Sequence, residues 1–483
     1  MVFNSLVFLI FFSVFFLLYW FVFSKSLKNQ NLFLLTAGYI FYAWLDWRFL
    51  TILIGTSIIH FILGIYIEKV ENARQKKRLV SIGVLIGIGT LVLFKYFNFF
   101  IISFREALST LHVALNLQTL NIIIPVGLSY YTFKTISYLL DVDKGKIKAT
   151  TDWITFFTYV SFFPCILSGP IDKARTFIPQ LEKKREFDYN MGVDGLRQIL
   201  WGLFKKVVIA DNCAPIVDGI FENYHMLPAS TLVFGAFFYT FQMYADFSGY
   251  SDMAIGLSRM IGFNVTKNFD HPFFSQNIAE FWRKWHISLT SWLTEYVFTP
   301  LSIAFRNLGK LGLILAIVIN FTICGIWHGA NWTYILFGFL HGCYFIPLIL
   351  RGQLNKKKEI AKDAKLPSPV EIVNILSTFA LIMFTFVVFR AEDIGQAIHY
   401  YQRILSRSLL KFPIIPGDQY EVLVTLFFIC FMLGSEWIKR KQEHVLKLDA
   451  KHAVYRWSIY ASIIFLIGMF MQTSETPFIY VNF

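Results

Sequence analysis

The sequence predicts an all-α, polytopic membrane protein, built as a bundle of about 11–12 transmembrane helices with re-entrant helices and an internal cavity. Hydrophobic residues make up 56% of the 483 positions and charged residues only 16%. A soluble fold of this length cannot cover so much apolar surface with so little charge, so lipid must solvate much of it. The 54 Phe, 23 Tyr and 12 Trp agree, because Tyr and Trp favour membrane interfaces.

Long apolar runs follow one another along the chain. The first, Phe3 to Phe23, lacks a basic leader and a small-x-small cleavage site, which indicates a retained helix and not a signal peptide. Further runs lie near 31–48, 50–67, 79–97, 121–140, 195–219, 229–261, 311–327, 332–350, 369–389, 420–438 and 457–472. Each is a candidate membrane span.

Lys and Arg clusters between these runs predict the orientation. Lys25 and Lys28 follow the first run, Arg74 to Arg78 follow the third, and Lys144 to Lys148 follow the fifth. All three clusters fall on the cytoplasmic side if the N-terminus lies outside. The net charge of +13 therefore indicates membrane topology and contact with lipid, and no nucleic-acid partner is expected.

A segment that dips into the membrane and returns is expected between two of the basic clusters. The cluster from Lys173 to Arg185 is also predicted to be cytoplasmic, although one apolar run, Trp153 to Leu167, precedes it. Pro164, Gly169 and Pro170 break the end of that run. Irregular backbone at membrane depth persists only where protein or a watery cavity satisfies it, so an internal cavity is expected.

The same reasoning applies to residues 275–306, whose flanks are both predicted to be cytoplasmic. Trp282, His286, Leu289 and Leu293 are spaced to share one helical face, which predicts an interfacial or re-entrant helix.

The segment 391–418 conflicts with this topology. It should lie outside, yet it carries Arg403, Arg407 and Lys411. Either it forms an amphipathic surface helix or the count of spans is wrong by one.

The first cluster that could carry chemistry runs from Cys324 to Trp332. Its His328 lies between the two halves of a predicted helical hairpin, followed by Gly329, which permits a tight turn. A neutral imidazole in a cavity is suited to act as a general base near pH 7. A hydrogen-bonded packing role is the alternative. Trp327 and Asn331 beside it are candidate substrate-binding residues.

The second cluster centres on His286, which follows Arg283 and Lys284. These two basic side chains either anchor the segment at lipid phosphates or contact an anionic donor such as coenzyme A. The residue types alone favour the anchoring role.

The third cluster runs from Tyr244 to Asp252 and contains Asp246 and Ser248. These polar residues could pair with basic groups, line a polar path or hold a helix break at Gly249, and structural pairing is the favoured role.

The sequence predicts no other catalytic motif and no metal-binding site. His341 lies alone in an apolar run and is interpreted as a packing residue. The sequence contains no HExxH, GxSxG or Walker motif, and no metal site is expected. The cysteines are interpreted as small core residues; they are Cys165, Cys213, Cys324, Cys343 and Cys430.

Several stretches together resemble the membrane-bound O-acyltransferase (MBOAT) family. The run from Tyr244 to Pro300 carries the resemblance, followed by Gly325 to Trp332 and Phe337 to Gly342. Further matching stretches are Pro125–Phe133, Ser161–Pro164 with Ser168–Pro170, Gly202–Lys206 through Ile209–Asn212, and Pro477–Tyr480. The resemblance covers essentially the whole chain and is strongest to the bacterial branch that contains the alginate O-acetyltransferase membrane subunit.

The resemblance implies a ring of helices around a thin central region, within one domain spanning 1–483 and a family core of about 120–350. It implies a catalytic histidine at the floor of a funnel open to the outside, which maps onto His328. The second family histidine maps onto His286.

The resemblance also implies the reaction and its participants. It implies acetyl-CoA as the acyl donor with no bound cofactor, a cell-surface polysaccharide as the extracytoplasmic acceptor, and an extracytoplasmic hydrolase-like partner protein. The expected location is the bacterial cytoplasmic membrane.

Three other readings stay open. Transfer of D-alanyl or another acyl group to a cell-wall polymer is the first. A transporter or flippase is the second, because broken helices and buried Asp residues would suit it too, although no inverted repeat is visible. A non-catalytic scaffold for an extracellular partner would also suit a membrane bundle.

Overall fold

The computed structural model is helical throughout its regular secondary structure. It describes residues 1–113, 118–354, 356, 360–361, 364–448, 452–472 and 478–479, and within these ranges no strand forms. The all-α prediction is therefore confirmed.

The helices follow the apolar runs along the chain. The first part contains α1 Leu6–Leu17, α2 Leu27–Ala43, α3 Trp47–Lys69, α4 Ala73–Leu91, α5 Phe97–Ser109, α6 Leu128–Asp143, α7 Trp153–Ser161, α8 Ala174–Leu181, α9 Tyr189–Leu203, α10 Asp211–Glu222 and α11 Ala229–Met260. The second part contains α12 Ile278–Lys284, α13 Ile287–Leu293, α14 Thr299–Ala304, α15 Gly309–His328, α16 Trp332–Tyr344, α17 Ile346–Leu350, α18 Pro369–Arg390, α19 Ile394–Ile404, α20 Gln419–Ile438 and α21 Ala453–Phe470.

Seven helical stretches of the described chain are long and apolar enough to cross a membrane, fewer than the number of apolar runs in the sequence. They are Trp47–Lys69, Ala73–Ser109, Arg306–His328, Trp332–Leu350, Pro369–Arg390, Gln419–Ile438 and Ala453–Phe470, and the shorter apolar helix Leu6–Val22 accompanies them. Some apolar runs are not single helices: the run near 121–140 becomes helical only at Leu128, and the run near 195–219 contains the π-helical turn Phe204–Ala210. The chain is a multi-pass membrane protein.

One compact unit comprises Met1–Gly195 and Ala254–Thr266. Within it, α7 ends at Ser161 and an irregular turn follows, so the predicted break of the apolar run is confirmed. The buried Lys134 ammonium donates to the Tyr159 carbonyl at 3.1 Å, and the Tyr159 hydroxyl donates to the Asp172 carbonyl at 3.1 Å. These bonds hold the buried irregular backbone in place, as burial of polar groups requires. The dip of the segment 153–170 into the membrane stays a prediction.

The other compact unit comprises Leu196–Met253 and Lys267–Phe483. Its centre is the antiparallel hairpin of α15 and α16, with α18 packed against α16. The two hairpin helices approach closely because glycine faces glycine. A Cβ atom added to Gly325 would clash with the Tyr334 carbonyl oxygen, and one added to Gly338 would clash with the Phe321 carbonyl oxygen.

We therefore expect Gly338→Ala to lower the free energy of unfolding by about 1–3 kcal/mol, because the added methyl group must push two helix backbones apart. Gly468→Ala in α21 is the matched control, since an added Cβ there meets no atom within 4 Å. Thermal unfolding of both purified variants in detergent provides the measurement. Equal melting temperatures for the two variants would contradict the proposed close packing.

The segment 275–306 differs from the single helix predicted by its spacing. α12 ends at Lys284 and α13 begins at Ile287, and His286 between them has a left-handed backbone with φ of 44°. The prediction that Trp282, His286 and Leu289 share one helical face is therefore wrong, because the chain turns at His286 and restarts the helix. Asn277 caps α12 by accepting the Glu280 backbone N–H at 2.9 Å.

The segment 391–418 contains an amphipathic helix, which was one of the two alternatives expected for it. In α19, the side chains of Ala397, Tyr400 and Ile404 are buried, whereas Ile398 on the other side is exposed. The Tyr400 hydroxyl donates to the Leu232 carbonyl at 2.8 Å, and this bond joins α19 to α11 within the same unit.

Candidate active site

His328 is the last residue of α15, where the hairpin turns toward α16. The hairpin predicted from the sequence is confirmed, because α16 begins at Trp332. The imidazole is buried among aromatic rings, with ring centroids 5.1 Å from Trp327, 5.2 Å from Phe389 and 6.0 Å from Phe337. An apolar enclosure of this kind favours a neutral imidazole over an imidazolium.

His286 is fully buried, with 0% of its surface exposed, and Asn268 orients it. The Nδ1 atom of His286 lies 3.0 Å from the Asn268 Oδ1 atom. That oxygen also accepts from the backbone N–H and the hydroxyl of Ser288, at 3.3 and 2.9 Å. A backbone N–H can only donate, so the Asn268 side-chain atom that faces the Ser288 N–H must be the oxygen. Because this oxygen accepts from His286 Nδ1, that nitrogen must carry the proton. The lone pair of His286 is consequently on Nε2.

Asn268 is itself fixed in two ways. Its side-chain amide donates to the Ser251 hydroxyl at 3.2 Å, and its backbone carbonyl accepts the Ile287 N–H at 2.9 Å. The left-handed backbone of His286 is therefore held from both sides, and the direction of the imidazole follows from this network.

The indole ring of Trp327 contacts both histidines. Its centroid lies 5.7 Å from that of His286 and 5.1 Å from that of His328. The two imidazoles also interact electrostatically: burial, together with the nearby His328, lowers the pKa of His286 well below its usual value. Burial thus favours the neutral form of His286, and both imidazoles contact one aromatic side chain.

Asp246 and Ser248 flank Phe247 in α11, and the Phe247 ring lies 4.7 Å from His286. The Asp246 carboxylate is buried and forms an ion pair with the Lys206 ammonium at 2.7 Å. This places Asp246 in the structural pairing favoured by the sequence. The Ser248 hydroxyl is buried, and it has no hydrogen-bond partner among the residues that the structure describes.

Lys206 joins three chain segments. Its ammonium also contacts Asp211 at 2.8 Å, while the second Asp246 oxygen accepts the Ile479 backbone N–H at 2.8 Å. Phe478 lies under the Lys206 ammonium, with 4.4 Å between the nitrogen and the ring centroid. Pro477 and Tyr480, which complete the terminal family-like stretch, lie outside the described residues.

The remaining predicted binding residues lie at the ends of helices near the two histidines. Arg283 is exposed and donates to the Leu354 carbonyl at 3.4 Å, and Lys284 pairs with Glu280 at 2.7 Å. Asn331 caps α16 by accepting the Thr333 backbone N–H at 3.0 Å, and its amide donates to the Glu392 carbonyl at 2.7 Å. Both halves of the Asn331 amide are therefore engaged in holding the turn after His328.

His341 lies within the hairpin and is fully buried. Its Nδ1 atom accepts a hydrogen bond from the Trp282 indole N–H at 3.2 Å, and its ring contacts Phe337 at 4.5 Å. These contacts fasten α12 to α16, a packing role in agreement with its interpretation from the sequence.

Asn268 and Phe247 were not identified from the sequence, although both lie within the family-like run that starts at Tyr244. Neither belongs to a motif with recognisable chemistry, because an amide that positions another side chain has no spacing signature. Within the described ranges, no group of three or more His, Cys, Asp or Glu side chains is arranged to hold a metal ion. The cysteines are unpaired.

Comparison with known proteins gives consistent matches. A family model described as "MBOAT, membrane-bound O-acyltransferase family" matches residues 146–389. The chain is 36% identical over 412 residues to the probable alginate O-acetylase AlgI of Azotobacter vinelandii, covering 84% of this chain and 78% of that protein. It is 33% identical to the corresponding protein of Pseudomonas putida over 502 aligned positions, covering 100% of both chains.

A relative with a different acceptor is also similar. The peptidoglycan O-acetyltransferase of Helicobacter pylori is 30% identical over 434 residues, which cover 82% of this chain and 78% of that protein. The matched region includes both buried histidines, since residues 286 and 328 fall within 146–389.

Proposed function

The chain belongs to the MBOAT family and is an O-acyltransferase, and from this premise we propose that it moves an acetyl group from acetyl-CoA to a hydroxyl of a cell-surface polysaccharide. In this proposal His328 is the general base and His286 assists it. Acetyl-CoA reaches the site from the cytoplasm, and the acceptor lies on the extracytoplasmic side of the bacterial cytoplasmic membrane.

The observation that supports this proposal is the pair of buried imidazoles around Trp327. General base catalysis requires a nitrogen lone pair near the reacting hydroxyl at physiological pH. Burial suppresses protonation, and the Asn268 amide fixes the tautomer of His286. Buried ionisable side chains inside a membrane protein are costly, so two of them on one indole ring indicate function.

The acceptor hydroxyl oxygen attacks the thioester carbonyl carbon while its proton passes to the His328 imidazole. The new C–O ester bond forms, the C–S bond breaks, and the proton leaves with the coenzyme A thiolate as the free thiol. A thioester is reactive enough that this step requires no serine or cysteine nucleophile.

The other predicted residues take supporting roles in this proposal. Arg283 is exposed at the end of α12, three residues before His286, where its guanidinium can contact donor phosphates together with Lys284. Trp327 separates the two imidazoles and excludes water. Asn331 holds the turn that follows His328, next to the backbone N–H groups that would stabilise the oxyanion. Asp246 and Ser248 flank Phe247 in α11, whose ring contacts His286, and from there they would border the substrate.

A partner protein completes the proposal. The regular secondary structure of the described residues is helical, and we expect a hydrolase-like extracytoplasmic partner to receive the acetyl group or present the polymer. The relatives named for alginate and peptidoglycan differ in acceptor, and an acceptor chosen by a partner would account for such variation within one catalytic domain.

We expect membranes containing this chain to transfer radiolabel from acetyl-CoA to an extracytoplasmic acceptor as an alkali-labile ester, with one free thiol released per ester formed. Membranes without the chain are the control, and propionyl-CoA and octanoyl-CoA test the acyl group. Transfer only from a longer acyl-CoA would overturn the acetyl assignment. Failure to release thiol from any acyl-CoA, with folded protein present, would contradict the proposed reaction.

A further inference from the structure

A groove lies at the end of the first apolar helix, within the unit that contains Met1–Gly195, remote in sequence from either histidine. Four aromatic rings and a cationic pair surround its volume of about 290 Å³. The groove is lined by Phe16, Trp20, Phe21, Ser24, Lys184, Arg185, Glu186 and Phe187. Its composition is amphipathic, with one apolar wall and one cationic edge.

Arg185 is a buried cation without an anionic partner. Only 6% of its surface is exposed. Its guanidinium donates to the Tyr19 hydroxyl at 2.6 Å, to the Gln180 carbonyl at 3.3 Å and to the Asn31 side-chain oxygen. Within the described ranges no carboxylate pairs with it. All three partners are neutral, and the guanidinium also lies over two aromatic rings, 4.8 Å from the centroid of Phe263 and 5.9 Å from that of Tyr19.

A buried charge of this kind is unfavourable unless an opposite charge approaches it. A guanidinium has five N–H donors, and three are used by the neutral partners of Arg185. Two donors remain for an anion in the groove that Arg185 lines. Phosphate oxygens match this geometry.

The edge of the groove adds further positive charge. Lys184 lines the groove and is exposed, and Lys183 beside it is exposed as well. Lys25 and Lys28, which follow Ser24 closely in the chain, are also exposed. None of these four lysines forms an ion pair with a residue that the structure describes. Together they give this edge a cationic character that Glu186 only partly offsets.

The apolar wall faces outward. Phe21 is 75% exposed and lies within the apolar helix Leu6–Val22, and Phe187 is 50% exposed and contacts Phe16 of that helix, with 5.9 Å between the ring centroids. Trp20 is held in position because its indole N–H donates to the Met260 carbonyl at 3.1 Å. Exposed aromatic rings beside lysines, at the end of an apolar helix, match the boundary between acyl chains and head groups.

We propose that this groove binds an anionic phospholipid, with the phosphate at Lys184 and Arg185 and an acyl chain along Phe16, Phe21 and Phe187. The charge of the groove selects the head group, because a phosphate without a compensating ammonium supplies the negative charge that Arg185 lacks. The predicted topology agrees, since Lys25, Lys28 and the cluster around Lys184 are all assigned to the cytoplasmic side.

Native mass spectrometry of the full-length chain tests this site. Dioleoyl phosphatidylglycerol should remain bound in preference to dioleoyl phosphatidylcholine. Lys184→Gln should weaken phosphatidylglycerol binding about fivefold, and Lys77→Gln, an exposed lysine of the same unit outside the groove, should leave it unchanged. Because Lys184 is exposed, the variant should melt at the wild-type temperature without added lipid.

A second variant separates the apolar wall from the charge. Phe21→Ala should shorten the residence of phosphatidylglycerol while retaining the preference over phosphatidylcholine. Equal binding of the two lipids to the wild type would overturn the proposal, as would wild-type binding by Lys184→Gln. Stabilisation of the chain by glycerol phosphate to the same extent as by phosphatidylglycerol would exclude the lipid and assign the groove to a soluble phosphate.

Discussion

Replacing His328 by alanine is expected to lower acetyl transfer by about 10²–10⁴-fold, with the amount of folded protein in the membrane unchanged. The side chain ends α15 within an aromatic enclosure, so its removal takes away the proposed base without removing a helix or a cap. The remaining transfer would reflect positioning of the two substrates and exclusion of water. The measurement is the initial rate of ester formation from radiolabelled acetyl-CoA, normalised to protein per membrane.

The matched control is His399→Ala, which removes an exposed histidine from α19. This variant should transfer acetyl groups at the wild-type rate. Full activity of His328→Ala would remove this residue from the mechanism. Loss of the protein from the membrane in His328→Ala alone would show that the residue packs instead of reacting.

Lys206→Met is expected to destabilise the protein by about 3–5 kcal/mol, because it leaves two buried carboxylates without their cation. Lys206 contacts Asp246 at 2.7 Å and Asp211 at 2.8 Å, and all three side chains are buried. Methionine keeps the length and the apolar stem of lysine, so the change removes mainly the charge. Urea unfolding of the purified protein in detergent measures the free energy of unfolding.

Two comparisons identify the cause of this loss. Lys447→Met breaks an exposed ion pair with Glu443, and such pairs contribute up to about 1 kcal/mol. Adding Asp211→Asn and Asp246→Asn to Lys206→Met should recover most of the stability, because the uncompensated charges are then gone. A loss in Lys206→Met no larger than that in Lys447→Met would show that the buried triad contributes little.

Much of the fold could be predicted because lipid imposes simple demands on sequence. Apolar runs at membrane length became helices, and the break at Pro164 ended α7 at Ser161. The restart of the helix at His286 could not be predicted, because it is held by hydrogen bonds to Asn268, which lies 18 residues earlier in the chain. The spacing of Trp282 and Leu289 indicated one helix, but tertiary bonds from Asn268 overrode that local periodicity.

The candidate site could also be predicted only in part from the sequence. His328 could be placed at a hairpin turn from the flanking apolar runs and Gly329 alone. The position of His286 beside it required the resemblance to a family, because nothing in the local sequence brings residues 286 and 328 to the same indole ring. Asn268 could not be recognised from the sequence, because a single amide side chain that orients a neighbouring residue leaves no recognisable sequence motif.

Because its backbone is left-handed, the residue at position 286 must meet two separate requirements, one of conformation and one of chemistry. Its φ of 44° is accessible to glycine, asparagine, aspartate and histidine far more readily than to β-branched residues. A valine there would fail on conformation before any chemistry was lost. We therefore expect the backbone at this position to accept only a small set of residues, of which histidine alone carries an imidazole, and a His286→Asn variant separates the conformational requirement from the chemical one.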